Sequence, residues 1–286
     1  MRNAIGIDIG GTSIRAARVS EAGEILAHQA HETPASAAET LNLVDTLIAR
    51  VEDADSAAIG VGVPGRVNVA TGEVFSGGYV NLAGPQLGQR LKAARGRPVF
   101  ADNDGSMALV GEARVGAGRG LANIVLLTIG TGIGGATMLD GRILRGARTA
   151  GQLGHITVDI NGATCACGRA GCIETTSSGT ALHQFIADAG LPNTTLLQDL
   201  IERDDTISRS ILTRWAGPLR SAIDSLVATL DPDVVLLGGG LGAGACKALE
   251  RFPPLSQWFQ CRVAPAELGD RAGVIGAALS ALEHTK

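Results

Sequence analysis

Ile5-Gly6-Ile7-Asp8-Ile9-Gly10-Gly11-Thr12-Ser13-Ile14-Arg15-Ala16-Ala17-Arg18-Val19 has a counterpart further along, Val125-Leu126-Leu127-Thr128-Ile129-Gly130-Thr131-Gly132-Ile133-Gly134-Gly135-Ala136-Thr137-Met138-Leu139. Both read alike: an apolar run of strand length, glycines where the chain must turn, and a second strand-like run. A tight turn and a third short strand follow each, at Glu21-Ala22-Gly23-Glu24-Ile25-Leu26 and at Asp140-Gly141-Arg142-Ile143-Leu144. Asp-Gly between apolar runs is a strong hairpin signal, because both residues tolerate the left-handed backbone of a type I′ turn. One strand–loop–strand unit present twice predicts two related lobes.

Around these units, apolar residues at helical spacing predict helices over 37–51, 87–94, 105–115, 180–189, 206–230 and 273–284. Short apolar runs over 56–63, 98–101 and 234–237 predict strands. Alternation of the two element types predicts an α/β fold. A chain of 286 residues has room for two lobes. The boundary is expected near residue 105, giving an N-terminal lobe over 1–105, with 273–286 packing back on it, and a C-terminal lobe over 106–272.

Composition narrows the function classes. Apolar residues make up 45% of the chain, enough for sizeable cores, and the net charge is −4 with no basic stripe, which argues against nucleic acid as partner. No apolar run nears the roughly 20 residues of a membrane helix, so no membrane partner is expected. The N-terminus enters a strand ending at Asp8 and does not read as a signal peptide. A cytoplasmic protein is expected.

Three glycine loops each follow an apolar strand. In the first, the backbone N–H groups of Gly10 and Gly11 and the hydroxyl of Thr12 suit phosphate oxygens, and Asp8 can hold magnesium through water. An ordinary hairpin opened by an aspartate reads the same. The second, with Gly130, Thr131 and Gly132, matches the dinucleotide spacing G-x-G-x-x-G. It runs into a strand and hairpin rather than a helix, which disfavours a nicotinamide oxidoreductase. The third, with Gly239 and Gly240, follows a buried strand and precedes helix-like residues from Cys246 to Arg251, a context for nucleotide at a helix start. The sequence contains no G-x-x-x-x-G-K-[ST], which argues against a P-loop enzyme.

Asp102-Asn103-Asp104 stands at the start of the expected helix at 105, where an anion is favoured. An ionised aspartate there suffices to orient a hydroxyl and take its proton in phosphoryl transfer. Plain helix capping explains the same residues. His155, Cys165, Cys167 and Cys172 form H-x9-C-x-C-x4-C, a four-ligand N/S set suited to structural zinc, with buried free thiols as the alternative. Cys246 and Cys261 are expected in the core. Gln152 and Glu174 bracket the zinc ligands, and a rigid knot would fix both for contacts to sugar hydroxyls or a sugar substituent. Solvated surface residues are the alternative.

These motifs together resemble the ROK family (repressors, unassigned reading frames and sugar kinases), nearly end to end. Asp8 to Thr12 match D-I-G-G-T, Gly62-Val63-Pro64-Gly65 match G-x-P-G, and Asn81-Leu82 match an asparagine–leucine pair that follows in the family's kinases. Asp102-Asn103-Asp104-Gly105 resemble E-N-D-A, Gly154 to Glu174 carry G-H…C-x-C-G-x-x-G-C-x-E, and Gly269 to Ala278 carry G-D-x-A-G-x-x-G-A-A.

The resemblance implies an actin-like (ribonuclease H-like) ATPase fold with two lobes, a central cleft and a zinc knot. It implies an ATP-dependent sugar kinase using magnesium, with Asp104 as the base on the C6 hydroxyl of a hexose. It implies that Gly65, Asn81, Asn103, Gln152, His155 and Glu174 bind the sugar, that the loops at Gly10, Gly130 and Gly239 bind ATP, and that the protein is a homodimer. The repressor branch carries an N-terminal helix-turn-helix domain, and Asp8 so near the start leaves no room for one here. Many glucokinases of the family have glutamate where Gln152 stands. N-acetylmannosamine kinases often depart there, and Thr33-Pro34-Ala35-Ser36 resembles theirs. A neutral amide accommodates an acetamido group, so N-acetyl-D-mannosamine is the expected substrate and N-acetyl-D-mannosamine 6-phosphate the product. Glucose, N-acetylglucosamine and other hexoses are the alternatives, and a non-catalytic sugar sensor is the remoter one.

Overall fold

In the computed structural model, which describes residues 2–76, 82, 86–147, 150–203, 205–254 and 256–285, the first repeated stretch folds as three antiparallel strands. These are β1 (Asn3–Ile9), β2 (Ser13–Ser20) and β3 (Ile25–Glu32). Helix α1 (Ala37–Val51) is capped by Ser36, whose hydroxyl accepts from the Glu39 N–H and donates to the Glu39 carboxylate. Strand β4 (Ser56–Val63) pairs parallel with β1. A small hairpin, β5 (Arg66–Asn68) and β6 (Glu73–Ser76), and helix α2 (Gln86–Arg95) lead to β7 (Val99–Asn103), parallel to β4. Helix α3 (Asp104–Val115) follows directly.

The second repeated stretch folds as β8 (Ile124–Ile129), β9 (Ile133–Leu139) and β10 (Arg142–Ile143), again antiparallel. Asp140 and Gly141 both take positive φ, 49° and 71°, as an Asp-Gly hairpin turn requires. Short α4 (Glu174–Ser177), then α5 (Gly179–Asp188), α6 (Leu197–Arg203) and the long α7 (Thr206–Leu230) precede β11 (Val234–Gly238), α8 (Gly242–Leu249) and β12 (Arg262–Pro265). Helix α9 (Ala272–Glu283) completes the order.

The chain divides into two units: Met1–Gly120 with Arg145–Thr149 and Asp270–Lys286, and Leu121–Leu144 with Ala150–Gly269. Each unit holds a five-stranded sheet, ordered β3-β2-β1-β4-β7 in the first and β10-β9-β8-β11-β12 in the second. The two orders are the same once the strands are numbered within each five-stranded sheet, the β5–β6 hairpin being extra to the first. The first unit runs on to Gly120 instead of ending near residue 105, because α3 packs along α9.

Helix α9 is buried from Ala272 to Leu282, on every side, as an all-apolar helix should be. It lies on β1 and β4 at backbone contact: a Cβ built on Gly60 would sit 1.8 Å from the Ala277 carbonyl oxygen. The core of the first unit gathers Ile5, Ile7, Val44, Leu47, Ile59 and Val61. That of the second gathers Leu127, Leu182, Trp215, Leu219, Ile223 and Val235, and Cys246 and Cys261 pack against it half-buried. The Trp215 indole N–H donates to the Ser178 carbonyl, tying α7 to the start of α5.

Candidate active site

The parallel strands decide where chemistry can gather. In the first unit β1, β4 and β7 run the same way, so Asp8, the Gly62–Gly65 turn and Asp102–Asp104 emerge at one carboxyl edge. Asp8 pairs in register with Gly62, and Gly62 with Asp102. Ligands of open α/β sheets bind at such edges.

Asn103, not Asp104, caps α3. Its side-chain oxygen accepts from the Ser106 N–H at 3.2 Å, and its amide donates to the Gly65 carbonyl at 2.8 Å. The amide therefore holds the turn with its oxygen on Ser106 and one of its N–H groups on Gly65. Asp104 is the first helical residue, and its carboxylate accepts from the Gly105 N–H at 2.9 Å. Burial pushes its carboxyl up to about 6, against the pull of that hydrogen bond and those from its own N–H and Asn103. Asp102 is buried; its carboxylate accepts from the Asn103 N–H at 2.7 Å and from Arg145 Nε at 2.9 Å. Burial also raises its carboxyl, with Arg145 opposing.

Asp8 lies against the first turn of α9, since a Cβ on Gly273 would approach its carboxylate carbon to 2.6 Å. Its side chain is 17% exposed. Burial first, then the charge of Asp104, push it up to about 7, with Arg15 pulling down and Asp270 pushing up. Arg15 stands between the two acids, 3.9 Å from Asp8 and 2.8 Å from Asp270. Sequence reading missed Arg15 and Asp270. The available signal was the hairpin itself, which makes Asp8 and Arg15 cross-strand partners. In the first loop, Gly10 N–H donates to the Ser13 carbonyl, and the Thr33 hydroxyl donates to the Gly10 carbonyl at 2.7 Å, leaving Gly11 and Thr12 exposed.

In the second unit β8, β11 and β12 are parallel, so the loops at Gly130–Gly132 and Gly239–Gly240 share an edge. The Gly130 and Thr131 carbonyls accept from the Gly179 and Thr180 N–H groups, and the Thr180 hydroxyl adds a bond of 2.9 Å to Thr131. The loop is thus pinned on the start of α5. Gly239 has φ +76°, and a Cβ there would lie 2.5 Å from the Ile129 carbonyl oxygen. Helix α8 begins at Gly242, earlier than the expected Cys246, with no side chain capping its first N–H groups. A helix start of this kind favours an anion. β9 confirms that a strand, not a helix, follows the second loop.

His155, Cys165, Cys167 and Cys172 converge, their ligand atoms all within 4.8 Å of one another. Cys165 Sγ is 3.6 Å from His155 Nδ1, and Cys167 Sγ is 3.6 Å from Cys172 Sγ. Tetrahedral Zn–S bonds of about 2.3 Å span sulfur–sulfur edges of about 3.8 Å, so zinc fits this donor set. Gln152 stands just before a single 3-10 turn, Leu153–His155; its carbonyl accepts from the His155 N–H at 3.1 Å and its side chain makes no capping bond. Glu174 opens α4, and its carboxylate accepts from the Ile133 N–H at 2.8 Å. Asn81 lies outside the described residues.

Across residues 4–284 the chain matches the model of the ROK family. A glucokinase of Halalkalibacterium halodurans is 32% identical, over 95% of this chain and 92% of its own. An N-acetylmannosamine kinase of Yersinia pseudotuberculosis is 31% identical, over 98% of both. The solved ROK glucokinase of Streptomyces griseus, bound to glucose and AMPPNP, superposes with a TM-score of 0.84 at 28% identity, covering 98% of this chain and 99% of its own. The fold and the Cys3His cluster define a two-unit α/β protein of actin-like type. The chain belongs to the ROK family. Among the described residues, no helix is long and apolar enough to cross a membrane.

Proposed function

We propose that this ROK-family sugar kinase transfers the γ-phosphoryl group of ATP to the C6 hydroxyl of an N-acylhexosamine, N-acetyl-D-mannosamine in the first instance. Asp104 carries the reading: a carboxylate fixed at a helix start, at the strand edge that also presents Asp8. It takes the proton of the attacking hydroxyl. Asp8 holds magnesium through water, and Gly10, Gly11, Thr12, Gly130, Thr131, Gly132, Gly239 and Gly240 receive the nucleotide. Gly65, Asn81, Asn103, Gln152, His155 and Glu174 bind the sugar. Zinc on His155, Cys165, Cys167 and Cys172 keeps that part of the second unit in shape. The active protein is a cytoplasmic homodimer with no nucleic-acid partner.

Gln152 supports the amino sugar, because its neutral amide can donate to an acetamido carbonyl that a carboxylate would repel. Glucose is the second reading, favoured by the glucokinase relatives. ADP release with magnesium is expected to be fastest with N-acetylmannosamine in a panel that includes N-acetylglucosamine, glucose, fructose, mannose and allose. Gln152→Glu should shift preference toward glucose by about tenfold or more, the scale of one mismatched polar contact. Glucose preferred by the unaltered enzyme would overturn the substrate assignment and leave the kinase.

The raised carboxyls set the pH response. A base with its carboxyl at about 6 is lost as pH falls through that value, so kcat/KM should drop with unit slope below about pH 6. A plateau persisting to pH 4.5 would contradict this. Stability responds the other way. The folded carboxyls of Asp8 and Asp104 bind protons more tightly than the unfolded chain, so these two groups favour folding as pH falls from about 7 toward 4.

A further inference from the structure

We propose that Glu174 is a positioning residue for the second glycine loop, and that the zinc knot braces this loop through Ile133. The inference rests on the kinase reading above and deepens it. Ile133 is the first residue of β9 and directly follows Gly130-Thr131-Gly132. Its backbone is gripped on both polar groups. The N–H donates to the Glu174 carboxylate at 2.8 Å. The carbonyl oxygen meets Gly154 so closely that a Cβ there would lie 2.0 Å away.

Both contacts belong to the knot. Gly154 immediately precedes His155, and Glu174 follows Cys172 by two residues. The two ends of the knot are themselves joined, since the Ile173 N–H donates to the Ile156 carbonyl at 2.8 Å and Val158 N–H donates to the Gly171 carbonyl at 2.8 Å. A metal on His155 and Cys172 therefore fixes the spacing between the group that holds the Ile133 N–H and the backbone that backs its carbonyl. The far side of the loop is pinned independently, through Gly130 and Thr131 to α5. With the Glu174 bond gone, the loop keeps its anchor on α5 but loses the hydrogen bond that fixes its end at Ile133. Its N–H groups are then less well set for phosphate, and the loss falls on nucleotide binding rather than on sugar binding alone.

The test measures the Kd of magnesium-AMPPNP without sugar, by calorimetry, for the unaltered protein, Glu174→Ala and Glu174→Gln. Hydrogen exchange at the Ile133 amide is followed in parallel. Glu174→Ala should weaken nucleotide binding about tenfold or more, the scale of a lost hydrogen bond to a charged group. Glu174→Gln retains an oxygen acceptor and should recover part of that loss. Exchange at Ile133 should quicken in Glu174→Ala, and also in the unaltered protein after its zinc is chelated. Unchanged nucleotide affinity in both variants, with only sugar affinity reduced, would overturn the positioning role. Unchanged Ile133 exchange after zinc removal would overturn the brace. If Glu174→Ala does not fold, Glu174→Gln and the chelation experiment decide. An unaltered protein that binds no nucleotide overturns the kinase reading and this proposal together.

Discussion

Asp104→Ala is expected to lower kcat about a thousandfold, the middle of the range for loss of a positioned acid–base group. The carboxylate is held by the Gly105 N–H at the first turn of α3, while Asn103 caps that helix and ties it to Gly65. The helix start therefore survives the substitution. Removing a carboxyl that burial holds up at about 6 also relieves an unfavourable buried charge. The variant should unfold at a temperature equal to or above that of the unaltered protein at pH 8. Asp104→Asn preserves shape and the Gly105 contact but cannot take a proton, so it should match the alanine variant in kcat. Sugar and nucleotide Kd should change little. A kcat within tenfold of the unaltered enzyme for both variants would remove Asp104 from the role of base.

Gly60→Val should be the most damaging single change to folding. A Cβ at position 60 meets the Ala277 carbonyl at 1.8 Å for oxygen and 2.3 Å for carbon. Neither partner is a flexible side chain, so a strand in mid-sheet or a buried helix must move. Gly6 meets the Val274 oxygen at 1.8 Å, and Gly276 meets the Met107 oxygen at 1.7 Å, so α9 is held this way against β1, β4 and α3 alike. Overpacking at three such contacts leaves no direction of relief, and a loss above about 3 kcal/mol is expected. Gly88→Ala is the matched control: it lies in α2, nothing surrounds the added Cβ, and alanine favours helix. Thermal unfolding separates them. A melting temperature for Gly60→Val within a few degrees of the unaltered protein would mean that α9 does not sit where described.

The duplicated hairpins were legible because periodicity and the Asp140-Gly141 turn are local signals, and the shared strand order follows from them. The onset of α8 was not. Gly242 and Gly244 are poor helix formers, yet the helix starts at Gly242, where a Cβ would lie 2.4 Å from the Leu237 oxygen. Close packing overrode propensity there. Strand β12 is four residues long, sits at the sheet edge and ends in Pro265, too little for a periodic signal. At the candidate site, residue types and spacing named the Cys3His set and the glycine loops. The Glu174 bond to Ile133 joins residues 41 apart, and the Arg145 bond to Asp102 joins residues 43 apart. Contacts of that range depend on tertiary placement that no local pattern encodes.

The placement of α9 bears on the order in which the protein is made. A ribosome delivers β1, β4 and α3 early, but the helix that covers their shared surface emerges only after the whole of Leu121–Gly269. The second unit, nearly continuous in sequence, can close its core while the chain is still being synthesised. The first unit, begun earlier, waits with the glycine-lined seats for α9 open to solvent. During that interval it is the half that a chaperone would hold and a protease would find.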